Sequence, residues 1–307
     1  MKPRISVVVV TYRSRGPVTD CLLSLERCRG SLPLEVIVVD NASTDGTAEW
    51  VHERFPWAEV IANPDNRGFT RAVNQGFVRA RADHVLMLNP DCEVPPGALE
   101  TLLAALEADP GLAAVAPVLT DERGRPARSC GRFPNLWWLL CDHLGLAAVF
   151  PDSPRFGGYK YGGIPMDRLE RVDWASGAAL LIPAATWRRL GGLDETLFMY
   201  MEEVDWCRRA AAAGNAVQLV PAARIRHAGG LSSKQVPGES YLHNLRSRVY
   251  YFRKHFGPAA ALAARAILGT SLMLKWTVSA IPRSRRAFAR VYAAGIAAVW
   301  AAGRRHG

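Results

Sequence analysis

Three runs of apolar residues punctuate the first ninety positions, Ile5 to Val10, Val36 to Val39 and Val85 to Leu88. Each stops at polar residues: Thr11-Tyr12, Asp40-Asn41 and Asn89-Pro90-Asp91. Continuous β-branched runs without polar alternation are the pattern of strands covered on both faces. Between them lie stretches with helical spacing, Val18 to Arg27 with Leu22, Leu23 and Leu25, Thr47 to Phe55, Thr70 to Arg81, and Pro96 to Ala108. Val60-Ile61-Ala62 reads as a short strand and His84 to Leu88 as a longer one. Strands alternating with helices predict a mostly parallel α/β sheet with right-handed crossovers and helices on both faces. Ligands of such sheets sit at the carboxyl ends of the strands, so Asp40 and Asp91 are expected to face one crevice although they are distant in sequence.

The pattern loosens further on. Gly157 to Gly163 predicts a mobile glycine-rich loop, and Val172 to Ile182 a strand interrupted at Ser176-Gly177. A glycine break of this kind lets backbone approach a ligand closely. A short Arg224 to His227 segment leads to Gly229-Gly230, and from Tyr241 the pattern is helical to the end. The expected division is a body over 1–235 and a helical extension over 236–307.

Composition sharpens this division. Of 307 residues, 49% are hydrophobic, ample for a folded core. The net charge of +10 is unevenly spread: residues 224–307 hold 15 Lys and Arg against the single acid Glu239. The rest of the chain therefore has 23 basic and 27 acidic residues, a mildly acidic body carrying a strongly basic tail. In the tail, Pro258 to Pro282 is apolar apart from Arg265 and Lys275, and Ala287 to Gly303 apart from Arg290. Basic, apolar helices suit the surface of an anionic membrane, against the alternative of a helical pair docked on the protein's own core. The six cysteines show no C-x-x-C spacing, so they read as reduced, buried apolar residues. The apolar run after Met1-Lys2-Pro3-Arg4 is too short for an export signal, which points to a cytoplasmic chain.

Neither a G-x-G-x-x-G after the first strand nor a G-x-x-x-x-G-K-[ST] occurs, so phosphate must be bound by other means. Asn89-Pro90-Asp91 offers the hard oxygen ligands that Mg²⁺ or Mn²⁺ prefers, and equally reads as a turn with a helix cap. Asp194, Glu195, Glu202, Glu203 and Asp205 place five carboxylates within twelve residues. Acids at a helix start are ordinary, but the neighbouring Leu197 to Met201 is bulky and apolar, a setting that desolvates a carboxylate and makes it more basic. His227 alone is an ordinary histidine, and Trp174 reads either as core or as a stacking platform for a pyranose.

Taken together, Val8 to Tyr12, Val38 to Ser43, Asn66-x-Gly68-Phe69-x-x-Ala72-x-Asn74-x-Gly76, Asn89-Pro90-Asp91, Trp174 to Ala178, Gly192 to Glu195 and Glu202 to Asp205 resemble glycosyltransferase family 2, the inverting GT-A enzymes, in particular its bacterial rhamnosyltransferase-like members. The resemblance implies a Rossmann-like GT-A fold with a C-terminal helical extension. It implies a nucleoside-diphosphate sugar donor, with Thr11, Tyr12 and Asp40 at base and ribose, and Asn66, Gly68, Asn74 and Asn89 near the diphosphate and sugar. Asp91 and His227 would hold Mg²⁺ or Mn²⁺. Glu203 would be the catalytic base, with Asp194 as rival or as ligand to acceptor hydroxyls, and Trp174, Ser176 and Gly177 would face the acceptor. The sequence departs from the usual pattern at Asn89, where the family's metal motif often has aspartate, and at Glu202-Glu203, where it often has Glu-Asp. A polyprenyl-diphosphate-linked saccharide acceptor at the cytoplasmic face of the inner membrane would account for the basic tail. Two alternatives remain at this level: a sugar-phosphate nucleotidyltransferase, whose glycine-rich start is missing here, and a non-catalytic GT-A-fold protein binding nucleic acid through its tail. The tail lacks the interleaved aromatics of a nucleic-acid surface, so no nucleic-acid partner is expected.

Overall fold

A computed structural model describes residues 2–168, 170–229, 237–280 and 286–301. Gly230, Arg283, Arg285, Arg304 and Arg305, which carry part of the sequence reading above, lie outside them. The strands are β1 Ile5–Thr11, β2 Leu34–Asp40, β3 Glu59–Ala62, β4 His84–Leu88, β5 Cys92–Glu93, β6 Leu112–Thr120, β7 Cys130–Gly131, β8 Arg171–Val172, β9 Trp174–Ala175, β10 Ala179–Pro183 and β11 Ala216–His227. The helices are α1 Arg15–Cys28, α2 Thr47–Arg54, α3 Phe69–Arg79, α4 Ala98–Ala108, α5 Leu136–His143, α6 Leu146–Val149, α7 Ala184–Leu190, α8 Glu202–Ala212, α9 Pro237–Ala280 and α10 Arg286–Ala301.

The chain forms two compact units. The first comprises Met1–Gly131, Ile164–Phe198 and Glu202–Gln235, and the second Arg132–Gly163, Met199–Met201 and Val236–Gly307. Residues 132–163 thus group with the C-terminal helices, whereas the sequence pattern assigns them to the body.

The first unit is built on a sheet of order β3-β2-β1-β4-β10-β6-β11-β5. All seven residues of β1 are buried, as its uninterrupted apolar run requires of a central strand. β1 pairs in parallel with β2 and with β4, and β2 with β3, as the alternating pattern predicts. Beyond β4 the sheet is mixed: β10 runs antiparallel to β4 and β6, and β5 antiparallel to β11. Strand β6 carries three alanines and Pro117, which dilute its β signal, yet all nine of its residues are buried. β11 is longer than Arg224 to His227, with a register shift between Val220 and Arg224 around Pro221. All six cysteines are buried and none forms a disulfide, as expected.

Two glycines in this unit do measurable structural work. Gly68 has φ +87°, and a Cβ there would lie 2.7 Å from the Phe198 carbonyl oxygen. Gly76 lets α3 lie directly on β1: a Cβ there would come within 2.3 Å of Val8 Cγ1.

In the second unit, α5 is capped by the Asn135 side chain, which accepts from the Trp138 backbone N–H at 2.9 Å. Arg248 of α9 reaches Asp142 of α5 at 3.0 Å, and the Ser271 hydroxyl donates to the His143 carbonyl at 3.0 Å. α9 breaks at Gly257 (φ 85°), just before Pro258. The Gly157 to Gly163 segment is a compact turn rather than the open loop its glycines suggest. A 3₁₀ turn spans Gly158–Lys160, and Gly157 and Gly162 each abut the Pro151 carbonyl so closely that a Cβ would lie 2.1 and 2.2 Å from it.

Gly76→Ala tests the packing of α3 on β1. Alanine gains about 1 kcal/mol in helix propensity, but overpacking a closed core costs about 1–3 kcal/mol. With Val8 only 1% exposed and its Cγ1 inside contact distance, overpacking wins, and thermal unfolding should show a lower Tm. An unchanged or raised Tm would contradict it.

Candidate active site

The carboxyl edge of β1 and β2 presents Thr11 opposite Asp40 as register partners. The two strand ends are cross-tied: Asn41 N donates to Thr11 O at 2.9 Å, Ser43 N to Asp40 Oδ1 at 2.8 Å, and Arg13 N to Ser43 Oγ at 2.8 Å. Asp40 is 2% exposed, and its Oδ2 and the Thr11 hydroxyl have no hydrogen-bond partner among the described residues. A buried carboxylate oxygen without a donor calls for one from a ligand. Tyr12 follows at the same edge, with the Arg13 guanidinium 5.1 Å from its ring.

Asn66 belongs to a fan of amides beside this edge. Asn41 Nδ2 donates to Asn66 Oδ1 at 2.7 Å, Asn63 Nδ2 to Asn41 Oδ1 at 3.3 Å, and the Gly68 backbone N–H to Asn66 Oδ1 at 3.0 Å. Asn41, which lies in the Val38 to Ser43 motif without a role assigned there, and Asn63, outside every motif, are therefore its organising pair. Asn74 has a different place from the expected one: Leu193 N donates to its Oδ1 at 2.9 Å, and its Nδ2 donates to Leu193 O and Glu195 Oε1, each at 3.0 Å. With both ends of its amide committed, Asn74 pins the Gly192–Leu193 turn instead of offering itself to a donor. Gly68 likewise has a backbone reason for being glycine.

At the end of β4, Asn89 N donates to Ala178 O at 2.9 Å, and Asn89 O accepts from Cys92 N at 3.2 Å. This turn directs the chain into β5, which pairs with the end of β11 so that Cys92 opposes His227. Asp91 Oδ1 then lies 3.1 Å from His227 Nε2, with the two side chains 5% and 18% exposed. Two ligands held at about 2.1 Å from one octahedral cation and at right angles lie about 3.0 Å apart, so the pair has the spacing of adjacent ligands. Cys92 Sγ belongs to the same cluster, within 4.8 Å. It is fully buried and donates to Ala178 O at 3.3 Å, and burial holds the thiol well above its usual range, so it remains a core thiol. Asp40 ends β2, and Asp91 lies three residues beyond the end of β4, with β1 between these two strands.

Ser176 and Gly177 line the same region: the Ser176 hydroxyl accepts from Ala178 N at 3.2 Å, and a Cβ on Gly177 would sit 3.7 Å from Glu203 Cβ. Glu203 of α8 therefore borders the glycine break that anchors the Asn89 turn. Trp174, by contrast, is 5% exposed and packs as core, so it gives no open face for a sugar. Asp194 shapes its own turn, accepting from Thr196 N through Oδ1 and from Leu197 N through its carbonyl, both at 3.0 Å.

α8 is fixed from beneath. Trp206, fully buried, stacks on Trp187 at 5.8 Å, which stacks on Phe77 at 3.7 Å. Asp205, 1% exposed, pairs with Arg209 at 3.0 Å, and Arg209 also donates to the carbonyls of Leu190 and Gly192. Glu202 is buried, its Oε2 has no partner among the described residues, and burial first and the adjacent Glu203 second push its carboxyl well above the usual range.

The folded chain holds this proton more tightly than the unfolded chain, so Glu202 costs stability as pH rises above the ordinary glutamate value of about 4.3. Gln in its place keeps the shape of the neutral acid. The Tm of Glu202→Gln should gain on the wild type progressively from about pH 5 to about pH 8. A pH-independent difference would refute the assignment.

The edge just described matches known proteins in sequence as well as in shape. Residues 6–162 match the family described as Glycosyl transferase family 2. The chain is 32% identical over 225 residues, 68% of its length and 71% of the relative's, to the N-acetylglucosaminyl-diphospho-decaprenol L-rhamnosyltransferase of Mycobacterium tuberculosis. It is 26% identical over 212 residues, 67% of its length and 61% of the relative's, to the low-salt glycan biosynthesis hexosyltransferase Agl10 of Haloferax volcanii. Among solved structures, the mannosyltransferase PcManGT from Pyrobaculum calidifontis in complex with GDP-Man and Mn²⁺ shares the fold, with TM-score 0.57 and 19% identity over 100% of this chain and 89% of that one. S. aureus TarS 1–349 in complex with UDP does so with TM-score 0.51 and 16% identity over 97% and 89%. A strand edge carrying carboxylates, a GT-A fold and this extent of sequence identity have one reading: the chain belongs to glycosyltransferase family 2 and is a glycosyltransferase.

Proposed function

We propose that the enzyme moves a sugar, rhamnose by the activity printed for its mycobacterial relative, from a nucleoside diphosphate to a hydroxyl of a polyprenyl-diphosphate-linked saccharide, with inversion. What supports this is the Asp91–His227 pair at 3.1 Å after the Asn89 turn, and Glu203 beside Gly177, whose neighbour Ala178 accepts from Asn89 N at 2.9 Å. The nucleotidyltransferase and nucleic-acid readings have no comparable support.

Thr11 and Asp40 receive the nucleoside, Asp40 Oδ2 accepting from a base N–H or ribose hydroxyl, while Asn66 and Asn89 flank the diphosphate. Asp91 and His227 would hold a divalent cation, Mg²⁺ or Mn²⁺, which when bound supplies countercharge to the departing nucleoside diphosphate. Glu203 takes the proton from the acceptor hydroxyl as that oxygen attacks the anomeric carbon from the face opposite the leaving group. Asp194, committed to its own turn, is the weaker candidate for base. Bound in this way, the acceptor keeps its lipid in the cytoplasmic leaflet.

A membrane-surface role for the second unit agrees with its outward residues. Leu262, Met273, Leu274 and Val278 are 56%, 58%, 56% and 61% exposed, and Arg253, Lys254, Arg265 and Lys275 add charge of one sign. Gly238–Ser279 is also apolar and long enough to cross a membrane by length and composition, though the turn at Gly257 divides it. A helix lying in the interface accounts for that turn and for the basic residues together.

Glu203→Gln and Asp91→Ala should each lower kcat for sugar transfer by about 10²-fold or more while the Tm stays near the wild type's. Near-normal turnover of Glu203→Gln would remove the base assignment. Replacing Met273, Leu274 and Val278 together by serine should release the full-length protein from anionic liposomes in cosedimentation. Retained binding would exclude this face.

A further inference from the structure

Among the described residues 13 large apolar side chains are exposed, and 11 of them belong to the second unit. Charge divides in the same way: that unit holds 15 Lys and Arg against three Asp and Glu, and the first holds 23 against 25. The C-terminal helices carry only part of this exposure. Trp137, Leu144, Val149 and Phe150, on α5, α6 and their ends, are 41%, 53%, 68% and 49% exposed.

α6 has the sequence Leu-Ala-Ala-Val, and none of its four residues is buried. Helices in proteins draw most of their stability from packing an apolar face, which this one does not do against its own chain. Its shape is nonetheless well determined. Gly145, at φ 78°, starts it, and the Ala148 and Val149 backbone N–H groups donate to Gly145 O at 3.1 and 3.0 Å. Trp137 Nε1 donates to Arg155 O at 2.9 Å, and the Phe156 ring lies 6.2 Å from Trp137 and 5.5 Å from Phe150. The Arg155 guanidinium sits 5.7 Å from the Trp137 ring and 5.8 Å from that of Phe156.

This segment continues the apolar exposure of α9 within the same unit. The Ser271 hydroxyl donates to the His143 carbonyl at 3.0 Å, which sets the end of α5 beside that turn of α9, and Leu144 is the next residue. Leu274 and Val278, three and seven residues beyond Ser271, share its helix face and are exposed. A joined apolar area of this kind marks an interaction surface. Charge selects the occupant: a second copy would set the same positive excess against itself, whereas an anionic bilayer satisfies the apolar tips and the basic groups together. A tryptophan with an arginine beside it suits a membrane–water interface, the ring at headgroup level and the guanidinium on phosphates.

We propose that α5 and α6 form a second lipid-contacting element, separate in sequence from the C-terminal helices. Leu144, Val149 and Phe150 enter the acyl boundary of an anionic phospholipid surface, and Trp137 and Arg155 rest among its headgroups. The inference rests on the membrane-surface role of the second unit given above.

Vesicles of phosphatidylcholine and phosphatidylglycerol test it with the full-length protein. A Val149→Cys variant takes an environment-sensitive fluorophore at that position, because the six native cysteines are buried. On vesicle binding its emission should move to the blue, be quenched by lipids spin-labelled on the acyl chain and be shielded from iodide. Val149→Glu combined with Phe150→Glu should weaken cosedimentation about tenfold or more, since two apolar side chains leave the lipid contact, while Tm stays near the wild type's. The labelled variant keeps the test valid if the double substitution fails to fold. A fluorophore that stays open to iodide on vesicle-bound protein overturns the role of α5 and α6 and leaves that of the C-terminal helices standing. Wild-type protein that does not bind the vesicles overturns both. A lipid-free dimer in sedimentation velocity that the double substitution converts to monomer assigns this face to a second copy and overturns the proposal.

Discussion

The pairing of the two-residue strand Cys92–Glu93 with the last residues of Ala216–His227 is the constraint on which the site depends. It alone brings His227 against Asp91, and the Ala228 N–H donating to Asp91 O at 3.0 Å extends it by one step. Two residues of ladder cannot hold a strand in place by themselves. The stiffness comes from the other side of β11, which pairs with fully buried β6 along most of its length. The Asp91–His227 pair is thus positioned through a fully buried strand of the sheet, and the ion pair of Arg226 with Glu93 closes the outer edge.

What the sequence makes legible follows from this arrangement. β1, β2 and β4 could be read directly because a strand buried on both faces is an unbroken apolar run, and their polar endings mark the ligand edge. β6 could not, since its alanines and Pro117 have weak β preference and only its neighbours make it a strand. The antiparallel entry of β10 is a long-range choice that no local pattern encodes. Of the site, Asp40 and Asp91 were readable from position, whereas His227 was readable only through family resemblance, because its partner is chosen by a pairing across the sheet. Asn74 shows the opposite case: its motif suggests ligand contact, but its amide ties down the Gly192–Leu193 turn. Trp174 was ambiguous as a residue type, and its burial resolves it.

Backbone strain marks the same places independently. Among the described residues, the non-glycine positions with positive φ are Arg13, Ala42, Tyr161, Tyr200 and Met201. Arg13 and Ala42 each lie two residues beyond a strand end, Thr11 and Asp40, and Tyr200 and Met201 lead into Glu202. Such conformations cost about 1–3 kcal/mol each and persist only where surrounding bonds over-determine them. Here the bonds are visible: Arg13 N to Ser43 Oγ and Ser43 N to Asp40 Oδ1 hold the first pair, and the Ser247 hydroxyl donating to Met199 O at 2.8 Å steadies the approach to the second.

The left-handed pair at Tyr200 and Met201 also sets which carboxylates open α8. Three acids fall in its first turn, Glu202, Glu203 and Asp205, where the helix dipole favours negative charge. Three charges at that spacing would repel one another, and the structure disposes of two by different means. Asp205 is neutralised by Arg209, which is itself held by two backbone carbonyls. Glu202 is buried, and burial together with the adjacent Glu203 pushes its carboxyl well above the usual range. Glu203 is then the carboxylate of that turn that borders Gly177, so burial and pairing, rather than residue type, single out the acid proposed above as the base.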